Sequence, residues 1–149
     1  MNVGLRTQRA LGFARYEAGQ LGSEVIEPIH LLLGFLRENV KVPPLGFHEI
    51  QEIHKGVIGR VSTGKSPIKT EPRYSLESSF TLQKAQEYAR RWGRVGRDSQ
   101  PYLEAIHVFV ALMKRHTVIA KLLRSRGVDI RVIHRKMRSG KNGEFYSKV

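Results

Sequence analysis

Apolar residues recur at spacings of three and four along most of the chain, a pattern typical of helices with one buried face. It predicts helices over residues 5–21, 28–38 and 47–60, and again over 76–92, 101–114, 117–125 and 129–138. Pro28 and Pro101 fall in predicted first helical turns, where proline is tolerated because its missing N–H would have no partner. Asp129 follows the break at Gly127 and is expected to cap the last helix. The sequence therefore predicts an all-α protein.

Three blocks of this pattern occur twice, in the same order. Leu11, Ala14, Ala18, Leu21 and Gly22 recur 71 residues later as Leu82, Ala85, Ala89, Trp92 and Gly93. The run from His30 to Arg37 recurs from His107 to Lys114, and Ile50, Ile53, His54 and Val57 recur as Ile130, Ile133, His134 and Met137. Each glycine follows its helix as a C-cap. The chain is therefore interpreted as an internal duplication.

The duplication sets the predicted domain organisation. Repeat 1 covers about 5–60, a Gly- and Pro-containing linker covers 61–73, repeat 2 covers about 74–138, and the tail covers 139–149. We expect one domain with about four helices in each repeat. The third helix of repeat 1 is degenerate, because Pro43 and Pro44 forbid a regular helix where repeat 2 has a helical pattern.

The repeated unit resembles a known family. Ala14-x-x-x-Ala18-x-x-Leu21-Gly22, followed by a His that opens a Leu-rich helix, is similar to the Clp N-terminal domain, the module that precedes the AAA+ rings of ClpA-, ClpB- and ClpC-type unfoldases. The likeness covers about residues 5–138. It implies two four-helix repeats related by a pseudo-twofold axis. It also implies a non-enzymatic module without a cofactor, which binds adaptors, unfolded substrates, or Clp ATPase or protease subunits.

The resemblance also suggests where a partner binds. We expect a groove where the repeats meet, lined by Pro28, Ile29, His30, Ala105, Ile106 and His107. Some Clp N-terminal domains are similar to readers of phosphorylated arginine, with an acidic residue just before the His of each repeat. A carboxylate there can accept a guanidinium bidentately. Isoleucine occupies both positions here, and the helix-start hydroxyl position is Gly4 in repeat 1 and Ser75 in repeat 2. We therefore expect an apolar groove instead.

The charge distribution favours acidic partners. The net charge is +13, and residues 75–149 carry 16 of the 26 Lys and Arg but only 6 of the 13 Asp and Glu. The predicted basic surface comprises Arg90, Arg91, Arg94, Arg97, Arg131, Arg135 and Arg138. Its partner is either an acidic adaptor or ring subunit, or nucleic acid, in which case Trp92 could stack on a base. We favour Trp92 as a core residue, since it continues the buried helical face; a nucleic-acid or polyanion binder stays the alternative function.

One motif suggests an enzyme. Residues 59–66 match the Walker A pattern G-x-x-x-x-G-K-[ST] letter for letter. A true P-loop needs a strand before it and a helix that begins at the lysine. The segment before this match has helical periodicity, and Pro67 and Pro72 spoil a long following helix. We therefore expect no nucleotide hydrolysis, and at most weak anion binding at Lys65.

The remaining composition points to no metal, membrane or disulfide chemistry. The chain has six histidines, but four of them recur with the repeat, so a buried or capping role explains them better than metal ligation. There is no cysteine, and no apolar run reaches the roughly 20 residues that a membrane-spanning helix needs. We expect a cytoplasmic location.

Overall fold

The computed structural model describes residues 1–139, so the predicted tail, apart from Ser139, lies outside the described residues. The described part has seven helices: α1 Leu5–Gln20, α2 Pro28–Arg37, α3 Phe47–Val61, α4 Leu76–Trp92, α5 Ala105–Arg115, α6 Thr117–Ser125 and α7 Ile130–Ser139. It also has four two-residue strands: β1 Asn2–Val3, β2 Val25–Ile26, β3 Arg73–Tyr74 and β4 Tyr102–Leu103. The predicted helical architecture is confirmed. No helix in residues 1–139 is long and apolar enough to cross a membrane.

Local signals fix most of the helix ends as predicted. Pro28 is the first residue of α2. Asp129 caps α7, because its Oδ1 accepts a hydrogen bond from the Arg131 N–H at 2.9 Å. Gly22, after α1, has a φ of 77°, a conformation that glycine adopts without strain. Between α2 and α3, residues 38–46 form turns and no helix, so the predicted degeneracy of repeat 1 is confirmed.

One predicted helix start is wrong. The helix expected to begin near Pro101 begins at Ala105, so Pro101 is not in a first helical turn. The residues between them form β4, which pairs with β1 at the other end of the chain. This pairing holds Tyr102 and Leu103 in an extended conformation, and Glu104 becomes the N-cap of α5.

The pairing of the four short strands reflects the duplication. β1 pairs in parallel with β4, and β2 pairs in parallel with β3. β1 and β3 each precede the first helix of a repeat, whereas β2 and β4 each precede the second helix. Exchanging the two repeats therefore converts one ribbon into the other, as a pseudo-twofold axis requires. Each ribbon joins the two repeats, so they fold into a single body.

The second helix of each repeat lies in the centre of that body. In α2, the five apolar side chains from Leu31 to Leu36 are completely buried, and in α5 the residues from Ala105 to Leu112 are completely buried. Phe35 and Phe109 meet edge to face, with ring centroids 5.7 Å apart. A helix that is apolar on all sides needs neighbours on all sides. The remaining helices supply them and carry the molecular surface.

Candidate functional site

The two repeated histidines cap the central helices. His30 and His107 occupy the third position of α2 and α5, and each Nδ1 accepts a hydrogen bond at 2.9 Å from the backbone N–H of the helix N-cap residue, Glu27 or Glu104. This bond satisfies an N–H that the helix itself leaves without a partner. Burial lowers the pKa of His30 below its ordinary value and that of His107 to about 4. Both rings are therefore neutral near pH 7, and the predicted capping role is confirmed.

The six residues predicted to line a groove divide into two groups. Ala105, Ile106 and His107 are 0% exposed, so none of them can contact a partner in this conformation. The reason is that α5 is covered on every side. Pro28 and His30 are also buried, whereas Ile29 is half-buried and reaches the surface. Only the repeat 1 side of the predicted site is therefore accessible, through Ile29.

In repeat 2, a buried ion pair lies at the start of α5, the helix that is equivalent to α2. The Glu104 side chain is 0% exposed, and its Oε1 accepts hydrogen bonds from Arg94 Nη2 at 2.8 Å and Nε at 3.2 Å. A Cβ at Gly4 would lie 2.5 Å from Glu104 Oε2, so no side chain fits at this helix start. Ser75 instead has an ordinary capping role, because its Oγ accepts a hydrogen bond from the Ser78 N–H at 3.1 Å. The two helix-start positions thus have structural roles.

An apolar groove lies beside Ile29. It has a volume of about 640 Å³ and is formed by the start of α2, the end of α3 and the start of α6. Its lining comprises Glu27, Pro28, Ile29, Val57, Arg60, Val61, Arg115, His116, Thr117, Val118, Ile119 and Leu122. We call this surface the α6 groove.

The α6 wall of the groove combines an exposed apolar side chain with a histidine that is held in place by a hydrogen bond. Val118 is 77% exposed, although the neighbouring Ile119 and Ala120 are buried. His116, at the start of α6, is held by a 2.8 Å contact between its Nε2 and Thr81 Oγ. Thr81 Oγ donates to the Glu77 carbonyl, so its oxygen accepts the His116 Nε2–H. Burial lowers the pKa of His116, against the raising effect of Glu77. The groove therefore has a firmly anchored wall.

Sequence reasoning missed most of this groove. Val57, Val61, Val118 and Leu122 were not among the predicted site residues. A usable signal existed in α6, because Val118 and Leu122 are four residues apart and lie outside the stripe of Ile119, Ala120 and Leu123 that is buried. Two apolar positions beyond the buried stripe indicate a second apolar contact. The α3 residues that line the groove, Val57 and Val61, carry no such local signal.

The seven predicted basic residues have different surroundings. Arg94 is bound to the buried Glu104, and Arg131 pairs with Asp129 in its own helix cap at 3.2 Å. Arg90, Arg91, Arg97, Arg135 and Arg138 are exposed. The two basic segments meet where Trp92 of α4 contacts His134 of α7, with ring centroids 6.0 Å apart. Trp92 is half-buried and packs against the core, as its helical spacing predicts.

The Walker A match does not form a P-loop. Its first three residues are the last turn of α3, and residues 62–66 form a loop that leads to no helix. The element before the loop is therefore a helix and not the strand that phosphate binding requires. The Lys65 stem lies against the turn that follows α1, because a Cβ at Gly22 would lie 2.6 Å from Lys65 Cβ. Within residues 1–139, no group of three or more His, Cys, Asp or Glu is arranged to hold a metal ion.

Comparison with known sequences places the chain near Clp chaperones. It is 22% identical over 147 residues to chaperone protein ClpB of Bacteroides thetaiotaomicron, and 25% identical over 130 residues to ClpB of Oceanobacillus iheyensis. These matches cover 96% and 84% of this chain but only 16% and 15% of the relatives, so the chain spans about a sixth of their length. Chloroplastic ClpD2 of Oryza sativa is 26% identical over 134 residues. No family model matches the chain.

Comparison with solved structures agrees. The N-terminal domain of ClpD from Arabidopsis thaliana superposes with a TM-score of 0.64 at 22% identity, covering 93% of both chains. The Hsp104 N-terminal domain from Candida albicans gives a TM-score of 0.65 at 18% identity, covering 97% of this chain and 95% of that one. A structure from a malarial protein secretion system gives 0.70 at 16% identity, with 93% and 94% covered. The predicted resemblance is confirmed, and the chain has the fold of a Clp N-terminal domain.

Proposed function

We propose that this chain is a non-enzymatic protein-binding module that works with a Clp-type AAA+ chaperone or protease machine. It recruits unfolded substrates or adaptors through the α6 groove, which receives an apolar segment of the partner. The observation that carries this proposal is the groove itself, where Val118 stays 77% exposed beside Ile29. Exposed apolar surface in a concave site is typical of a binding site.

The composition of the groove specifies the preferred segment. Apolar side chains of the partner would bury against Ile29, Val118 and Leu122, which gains about 25 cal/mol for each Å² of apolar surface removed from water. Arg60 and Arg115 lie at the same site and favour acidic residues next to the apolar ones. An unstructured segment that mixes apolar and acidic residues therefore fits best.

The test is a charge placed in the groove. Val118→Glu puts a carboxylate on the apolar wall at an exposed position in the first turn of α6, where an acidic residue does not oppose the helix dipole. Fluorescence anisotropy of labelled casein, an unstructured protein, measures binding to the wild type and to the variant. We expect Val118→Glu to weaken casein binding about tenfold, because desolvating the new carboxylate costs more than 1 kcal/mol.

Phe47→Glu is the matched control. Phe47 is 61% exposed and begins α3, so the change is chemically similar, but it lies about 15 Å along the helix from the Val57 wall. Casein binding should stay within twofold of the wild type. Equal binding to the wild type and to Val118→Glu would contradict the assignment of the groove, and so would an equal loss in both variants.

The link to a Clp machine is tested separately. Pull-down from the native cell extract with the wild-type chain should enrich Clp ATPase or protease subunits, identified by mass spectrometry. Enrichment of ribosomal or nucleoid material instead would contradict this proposal. The cytoplasmic location remains a prediction, and fractionation of the native cell followed by immunoblotting checks it.

A further inference from the structure

The pseudo-twofold axis relates two side-chain clusters of opposite character. In repeat 1, the Glu17 side chain is 6% exposed, and its Oε1 lies 3.0 Å from both Arg37 Nη1 and His54 Nε2. One carboxylate thus compensates a guanidinium and a histidine contributed by α2 and α3. The repeat 1 cluster is internally balanced in charge.

Repeat 2 keeps the basic members of this cluster and lacks the acid. The duplication aligns Glu17 with Tyr88, Arg37 with Lys114, and His54 with His134. The Tyr88 ring centroid lies 6.0 Å from Lys114 Nζ and 6.4 Å from the His134 ring. An aromatic ring attracts these groups only weakly, whereas a carboxylate carries a full opposite charge.

Further cations surround the same position. The Arg91 guanidinium lies 4.7 Å from the Trp92 ring centroid, and the Trp92 and His134 centroids are 6.0 Å apart. The pKa of His134 is lowered by burial, and also by Lys114 and Arg138. We call Arg91, Trp92, Lys114, His134 and Arg138 the cationic patch. Within residues 1–139, no carboxylate forms an ion pair with Arg91, Lys114 or Arg138, and the nearby Glu87 binds Lys84 at 3.1 Å.

We infer that the cationic patch binds an acidic segment of a partner protein, whose carboxylates take the role that Glu17 has in repeat 1. None of its residues lines the α6 groove, so this is a second surface, and it does not depend on the proposed role of that groove. Its charge is complementary to an acidic polypeptide, which favours fast and orientated association.

The arrangement of Trp92 favours a polypeptide over a nucleic acid. Base stacking needs an open aromatic face. The Trp92 ring already has the Arg91 guanidinium over it and contacts the rings of Tyr88 and His134. The patch therefore offers cations for carboxylates and does not offer a free stacking platform.

Trp92 also gives the assay, since it is the only tryptophan in the chain. An oligoglutamate peptide is titrated into the protein, with a single-stranded oligothymidylate of equal charge as the competing class of polyanion. We expect a saturable change in tryptophan fluorescence with the peptide, and tighter binding of the peptide than of the oligonucleotide. The absence of a peptide-dependent change, or tighter binding of the oligonucleotide, would overturn the inference.

Two pairs of variants distinguish binding by the cationic patch from attraction to the overall positive charge of the protein. Lys114→Gln/Arg138→Gln should weaken peptide binding about five- to tenfold, the sum of two charge contacts. Lys55→Gln/Lys121→Gln removes the same charge from exposed positions on α3 and α6 and should leave the affinity within twofold. Equal losses in the two doubles would show that only net charge matters, which would refute a defined patch.

The second pair installs the missing acid. Tyr88→Glu reproduces the repeat 1 cluster, so an internal carboxylate should compete with the peptide and abolish its binding, whereas the neutral Tyr88→Gln should retain it. Circular dichroism checks that each variant is folded. Because Tyr88 is largely buried, the Lys114→Gln/Arg138→Gln double decides the question if these variants do not fold.

Discussion

Helices α1 and α2 share the most extensive contact between helices of the described chain, and the backbones approach closely at Gly34. A Cβ built at Gly34 would overlap the Ala10 carbonyl oxygen and would lie 2.6 Å from the Ala14 backbone nitrogen. These are backbone atoms of α1, so no rotamer change can remove the overlap. Gly34→Ala must therefore push α1 away from α2 along their whole contact.

The size of the effect follows from two opposing contributions. Overpacking a well-filled core costs about 1–3 kcal/mol, and contact with backbone atoms places this case at the upper end. Replacing glycine by alanine inside a helix returns about 1 kcal/mol. We therefore expect Gly34→Ala to lower the free energy of unfolding by about 2 kcal/mol and the midpoint of thermal unfolding by about 6 °C.

Gly12 in α1 is the matched control, since a Cβ there would meet nothing within 4 Å. Gly12→Ala should raise the free energy of unfolding by about 0.5–1 kcal/mol, because only the helix propensity changes. Urea denaturation followed by circular dichroism measures both variants. The reasoning is refuted if Gly34→Ala is as stable as the wild type, or if Gly12→Ala is the less stable of the two.

Two further predictions concern buried groups. Burial lowers the pKa of His107 from its ordinary value of 6.5 to about 4 in the folded protein, so protonation of this ring favours unfolding. The contribution of the neutral ring to the free energy of unfolding is therefore complete above about pH 6.5 and decreases as the pH falls toward 4. The free energy of unfolding should therefore drop by about 2 kcal/mol between pH 7 and pH 5 in urea titrations, with a smaller drop in His107→Gln, and equal drops would contradict this account. Arg94→Leu leaves the carboxylate of Glu104 without its main cation and should lower the free energy of unfolding by about 2–3 kcal/mol. Adding Glu104→Gln to this variant should recover part of the loss, and strictly additive losses in the double variant would disprove the coupling.

The helices were predictable because their signals are local. Spacing of apolar residues, Pro28 at a first turn and Asp129 at a cap all act within a few residues of the helix end that they determine. The tandem prolines Pro43 and Pro44 likewise suppressed one helix without help from the rest of the fold. The duplication then gave the fold, since a repeated helical unit must bury its apolar faces against its copy.

The strands and most of the groove depend on contacts distant in sequence. Nothing within Tyr102–Leu103 reveals that it pairs with Asn2–Val3, and this pairing moved the start of α5. The family resemblance predicts that Ile106 lines an accessible groove, but its burial depends on packing from several other helices. The local pattern marks Val118 as an extra apolar residue, whereas only the folded chain brings it into one groove with Val57.

The two candidate surfaces both arise where the repeats differ. The α6 groove needs α6, which repeat 1 lacks because Pro43 and Pro44 occupy the equivalent region. The cationic patch needs Tyr88 in place of the acid that repeat 1 has at Glu17. In the symmetric parts of the fold, by contrast, the equivalent side chains are buried, as the two capping histidines are. Duplication therefore supplies a stable core, and divergence of one repeat supplies surfaces that occur once. A partner that contacts both the α6 groove and the cationic patch would bind in a single orientation.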